Sequence, residues 1–194
     1  MPFALGYQDY LANAVLAGGS YVSTLPLTNV QDDDFKSVAR SASLNTAHTQ
    51  FTVDLGAVRS IGLVAIKLPN ATPGLQFRVR SYAEAAMSTL KYDSTLTTPS
   101  IGTVIDWSNT AAWLEWEDEN FWLGITPSEL SELPLWIVLT IPAASAVLGA
   151  AQFWKVELVN ATNPDGYLDI AAALFMRIFR PSENYEPGSN DAQP

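Results

Sequence analysis

The chain has 194 residues, 48% hydrophobic and 15% charged, with a formal net charge of −10 and no cysteine. That length and apolar share fit one domain with a full core and exclude bulk disorder. The acidic balance argues against nucleic acid or an anionic membrane surface as the main partner, and the lack of cysteine excludes disulfides, thiolate metal sites and a cysteine nucleophile.

Residues 1–31 read as an N-terminal arm, broken at Gly18-Gly19. A helix over Tyr7–Leu16 would have a ragged apolar face, and the first ten residues lack the basic and apolar regions of a secretion signal. Asp32-Asp33-Asp34 follows as an acidic cluster. Phe51, Val53 and Leu55 alternate with Gln50, Thr52 and Asp54, which predicts a half-buried strand ending at Gly56. Ser60–Leu68 is almost continuously apolar, as expected of a strand buried on both faces. After a Pro/Asn/Gly turn at 69–74, Leu75, Phe77 and Val79 alternate with Gln76, Arg78 and Arg80 in another half-buried strand, and 94–102 is a Ser/Thr loop.

Residues 106–133 form an aromatic and acidic excursion that holds four of the six tryptophans, with Thr126-Pro127-Ser128-Glu129 as a short helix start. Leu135–Ile141 is a strand, too short to span a bilayer. Trp154, Val156 and Leu158 share a mainly apolar face opposite Phe153, Lys155, Glu157 and Val159. Asn163-Pro164-Asp165-Gly166 is a turn, because Pro presets φ and Gly accepts positive φ. A closing strand runs from Tyr167 towards Arg180, and residues 182–194 form a tail. Seven or eight strands without a long helix predict an all-β antiparallel β-sandwich over 32–181, not alternating βα units.

The Phe51-Thr-Val-Asp-Leu-Gly56 corner, with Arg59–Ile66, Phe153–Leu158 and Tyr167–Phe179, resembles the discoidin-like, galactose-binding-type jelly roll of the coagulation factor 5/8 C-terminal kind. More narrowly, the chain resembles discoidin-like proteins of tailed bacteriophages. The pieces are Leu25–Val30, Val38–Ser41, Leu114–Trp122, Asn163–Tyr167 and Phe179–Gly188, in order over about residues 25–188. The closing strand departs from that pattern, with Ile170-Ala-Ala-Ala-Leu-Phe175 in place of an Ile-Gly-Arg-Leu-Phe-like run. The resemblance implies a virion component at the tail tip or baseplate. It would be made in the host cytoplasm, present in several copies, and act on other tail proteins by shape and contact.

Catalytic signals are sparse. His48 is the only histidine and lies in a Ser/Thr-rich loop without a nucleophile elbow. No phosphate-binding loop or dinucleotide fingerprint occurs, and no cofactor is expected. The best carbohydrate candidates are Trp113, Glu115, Trp116, Glu117 and Trp122, since aromatics stack on sugar faces and carboxylates bind hydroxyls. The same tryptophans would equally serve as anchors that pin the excursion to the sandwich. Discoidin-like folds often hold a structural Ca2+ at the sandwich edge, for which Asn29 and Asp32 are the side-chain candidates here. Phe3, Tyr7, Tyr10 and Tyr185 stand in polar extensions and are the candidate assembly anchors. Two readings follow: a non-enzymatic virion structural protein, or a carbohydrate-binding module that engages the host cell surface.

Overall fold

The computed structural model describes residues 5–32, 36–72, 74–99, 135–141 and 150–179. The excursion and the C-terminal tail lie outside the described residues. Two antiparallel sheets face each other. One has the order β2 (Val15–Ala17), β4 (Phe51–Ser60), β9 (Ala150–Val159), β6 (Gln76–Tyr82), β7 (Leu90–Asp93). The other has the order β1 (Leu5–Asp9), β11 (Ala172–Phe179), β5 (Leu63–Leu68), β8 (Leu135–Thr140). A short ribbon of β3 (Ala39–Arg40) and β10 (Asp169–Ile170) sits beside them. Helical structure among the described residues is limited to two 3-10 turns and the single turn α1 (Thr46–Thr49).

The core follows from strand alternation. Phe51 and Val53 on β4, Trp154, Val156 and Leu158 on β9, and Phe77 and Val79 on β6 point inward. They meet Val64, Ile66 and Leu68 on β5 and Phe175 on β11. Trp154 packs edge-to-face on Phe175, with ring centroids 5.8 Å apart, and donates its indole N–H to the Ala151 carbonyl at 3.3 Å. Aromatic pairs in this geometry add to the burial of their area.

Three sequence expectations change. Gly56 does not end its strand: its φ is +69° and the β4–β9 register shifts between Asp54 and Arg59, so the chain passes through a bulge and pairs again at Arg59 and Ser60. The apolar run after Ser60 is split, because Ile61 and Gly62 carry the chain across to the other sheet before β5 begins. Residues 5–17 are not an extended arm. β1 pairs with β11, β2 pairs with β4, and Leu11 between them is fully buried. The Asp9 carboxylate holds this segment by accepting the N–H of Leu11 at 3.1 Å and of Phe175 at 2.8 Å.

Gly19 keeps φ at +67°, where a Cβ would run into the Gln50 carbonyl oxygen and the Tyr21 ring. Only glycine fits both demands. Tyr21, beside it, packs against the core and donates its hydroxyl to the Thr49 and Gln50 carbonyls, both at 3.4 Å. Burial pushes its phenol well above the ordinary value of 10.0. The unfolded chain therefore releases this proton first as pH rises, so the folded state loses stability from about pH 10 upward. Denaturant melts of wild type at about pH 9 and about pH 11 should show this loss, and Tyr21→Phe should reduce it. An equal loss in the variant would mean that Tyr21 is not its source.

Candidate functional site

The strand directions place the loops of the sandwich at two ends. β4 starts, β9 ends, β6 starts and β5 ends at one of them. The connections 18–50, 69–75 and 160–171 therefore gather there, with Thr97 bridged to Phe77 and Leu135 paired with Leu68 on either side of residues 100–134. The N-terminus of β1 and the C-terminus of β11, paired through Leu5 and Phe179, lie at the opposite end.

This loop end carries a connected polar network. Asn163 opens the expected turn, accepting the Asp165 N–H on its side-chain oxygen at 3.0 Å, and Gly166 takes φ +76°. The Asn163 amide donates to the Asn70 carbonyl at 2.7 Å, and Asn160 clamps Thr72 through two hydrogen bonds of 2.7 and 3.0 Å. The Asn70 amide donates to the Asp165 carboxylate at 3.0 Å and the Tyr167 carbonyl at 3.2 Å, while its oxygen accepts the Asp169 N–H at 2.8 Å. Asn160 and Asn163 are buried and fully engaged, so they set loop shape.

The outer edge of the network has the chemistry of a binding surface. The Arg40 guanidinium grips Asp169 in a fork, Nε to Oδ1 at 2.8 Å and Nη2 to Oδ2 at 2.9 Å. Its carbon stands 3.9 Å over the centre of the Tyr167 ring. Asp169 is 8% exposed and Arg40 is half-buried. The hydrogen bond to Asp169 pushes the Arg40 pKa still higher, so the group is charged at any working pH. Asp165 is exposed beside them and Tyr167 is half-buried. A fixed cation, an aromatic ring, a carboxylate and an amide thus meet on rigidly held loops. Such planar polar groups recognise vicinal hydroxyls, and the apolar face of a pyranose stacks on the face of an aromatic ring.

The residues singled out from sequence fare differently. Trp113, Glu115, Trp116, Glu117 and Trp122 lie outside the described residues, as do Phe3 and Tyr185. Asn29 and Asp32 are near each other, the Asp32 N–H donating to the Asn29 carbonyl at 3.2 Å. The Asn29 amide, however, donates to the Val38 carbonyl at 2.8 Å and acts as a loop clamp. Among the described residues no group of three or more His, Asp or Glu side chains could hold a metal ion. Tyr7 is 43% exposed on β1. Tyr10 instead packs against the core, with its hydroxyl on Gln8 at 3.0 Å and Arg59 over its ring, so it is not a projecting anchor. His48 closes a local turn: its Nδ1 is hydrogen-bonded to Ser43 Oγ at 2.8 Å, and Asn45 caps the same turn.

No family model and no curated protein matches this chain. Solved structures do match it in fold. The lectin domain of lectinolysin, complexed with Lewis B antigen, is 14% identical with a TM-score of 0.54, over 92% of this chain and 100% of that one. A fucose binding module of Streptococcus pneumoniae is 13% identical with a TM-score of 0.52, over 88% of this chain and 95% of that one. The family 32 CBM of C. perfringens NanJ, in complex with galactose, is 12% identical with a TM-score of 0.50, over 90% and 100%. The chain therefore has the galactose-binding-like jelly-roll sandwich that its sequence predicts. Among the described residues no helix is long and apolar enough to cross a membrane.

Proposed function

We propose that this protein is a non-catalytic carbohydrate-binding domain whose loop end, centred on Arg40, Asp165, Tyr167 and Asn70, contacts the sugar. The observation that carries the reading is the Arg40–Tyr167 pair locked by Asp169, at the end of the sandwich away from the paired termini. The matched structures support the sugar class, since several are solved with galactose, Lewis antigen or a galactose disaccharide bound. A binding role, not catalysis, also fits the chemistry: the single histidine is engaged in a turn.

A more specific reading places the domain in the tail of a bacteriophage, where it would meet glycans of the host surface alongside other tail proteins. It is favoured by the ordered pieces between Leu25 and Gly188 quoted above, and the two readings are compatible.

The test is a saccharide array probed with the intact chain, weighted towards galactose- and fucose-containing glycans. Saturable binding to a defined glycan set is expected. An array without binding above an unrelated β-sandwich control would overturn the reading.

A further inference from the structure

The arginines of the sandwich fall into two groups. Arg40, Arg78 and Arg80 each grip a carboxylate. Arg59 and Arg177 make no ion pair among the described residues, although acidic residues outnumber basic ones 20 to 10. Both are exposed. Arg177 faces Tyr7 across the β1–β11 pair, so the two side chains stand on the same side of the sheet. Gln8, next to Tyr7, accepts the Tyr10 hydroxyl at 3.0 Å, and the Arg59 guanidinium carbon stands 5.1 Å from the centre of the Tyr10 ring. A strip of cations and aromatic rings thus runs from Arg177 through Tyr7 and Tyr10 to Arg59, and Val58, the neighbour of Arg59 in the chain, is 65% exposed. The acids on the same strands are turned to other partners. Asp9 accepts the Leu11 and Phe175 N–H groups, and Asp54 accepts the Gly56 N–H and the Gln152 amide, both at 2.8 Å.

We propose that this strip, away from the sugar-binding loops, is a docking surface for an acidic segment of a partner protein. The inference goes beyond the glycan reading and does not depend on it. Charge complementarity selects the partner's chemistry, because two arginines without carboxylates on a chain of net charge −10 make a local positive site. The residue types select a protein. Arginine and tyrosine are enriched where protein partners bind, and the 43% exposed Tyr7 ring sets apolar area beside the charges. Nucleic acid would need a far larger basic footprint. The backbone selects the mode of binding. Gln8 takes φ 56° and the β1–β11 register shifts between Tyr7 and Asp9, so the free edge of β1 is bulged. A bulged edge does not template a further strand, so the partner binds through side chains and not by extending the sheet. A second copy fits less well, because each copy brings the same net charge of −10.

The probe is a display library of random peptides rich in Asp, Glu and aromatic residues, selected on the intact chain. Fluorescence anisotropy then gives the affinity of the strongest selected peptide. Saturable binding that weakens as salt rises is expected. The double variant Arg59→Gln with Arg177→Gln should keep wild-type circular dichroism, since both side chains are exposed, and should bind the peptide at least about fivefold more weakly. Tyr7→Ser should weaken it as well. A library that yields no binder, or a peptide whose affinity is unchanged in the folded double variant, would overturn the proposal. Dimerisation of the chain that is lost in the double variant would assign the strip to a second copy and equally overturn it. Saccharide-array binding by the intact chain is a separate readout, so failure here leaves the glycan reading standing, and the reverse holds too.

Discussion

Trp154→Ala is expected to destabilise the sandwich by about 3–5 kcal/mol, the usual cost of removing a large aromatic from a packed core. The indole is wholly buried at the middle of β9, between the pairing partners Val53 on β4 and Ser81 on β6. Its edge contact with Phe175 is a direct link between the two sheets. Truncation therefore loses transfer free energy, leaves a cavity, and exposes one face of Phe175 to it. Domains of this kind have only about 5–15 kcal/mol of total stability, so the loss would move the denaturant midpoint far down. Urea melts followed by far-UV circular dichroism would measure it. A loss below about 1 kcal/mol would mean that the sheets are not held together through this residue.

Arg40→Gln is expected to weaken glycan binding at least tenfold, a second effect that separates site from scaffold. The substitution removes the fork to Asp169 and the cation over Tyr167, leaving Tyr167 without the group that fixes its ring. It also leaves a nearly buried carboxylate without its partner, which is costly in a dry interior. Arg40 is about a third exposed, so water and salt screen part of that cost, and a stability loss of about 1–2 kcal/mol is expected. Titration calorimetry at a temperature well below the melt, paired with a urea melt, distinguishes the two effects. Unchanged affinity in a folded Arg40→Gln protein would remove this corner from the binding surface.

Much of the core was legible because its signal is local. The alternation Phe51, Val53, Leu55 and the face Trp154, Val156, Leu158 are period-two patterns that read the same in the chain and in the folded sheet. The turn at Asn163–Gly166 was legible for the same reason, since its glycine takes the positive φ that turn chemistry requires. Residues 5–17 were not. Their strands are short and interrupted, with Gln8 at φ 56°, and are defined by partners far along the chain, β11 for one and β4 for the other. Nothing in the local pattern of Gly6-Tyr7-Gln8-Asp9 announces that an aspartate will accept the Phe175 N–H.

The site was hidden by sequence distance. Arg40 and Asp169 are adjacent only because β3 and β10 pair, and Asn70 joins them from the β5–β6 turn. Isolated in sequence, an arginine in Val38-Ala-Arg-Ser41 and an aspartate in Tyr-Leu-Asp carry no ligand signal. The available hint was compositional: asparagine recurs in the loops at 70, 160 and 163, where side-chain amides commonly close turns on the backbone. The acidic and aromatic excursion drew attention because its composition is extreme, not because its geometry is visible in sequence.

The most direct test of the binding surface is an amide chemical-shift titration of 15N-labelled protein with the strongest ligand from the saccharide array. Saturable shifts concentrated at Arg40, Ser41, Asn70 and Asp165–Asp169 are expected, with the paired strand ends at Leu5 and Phe179 unmoved. Shifts confined to the outward face of either sheet, or to the end that holds the termini, would contradict it.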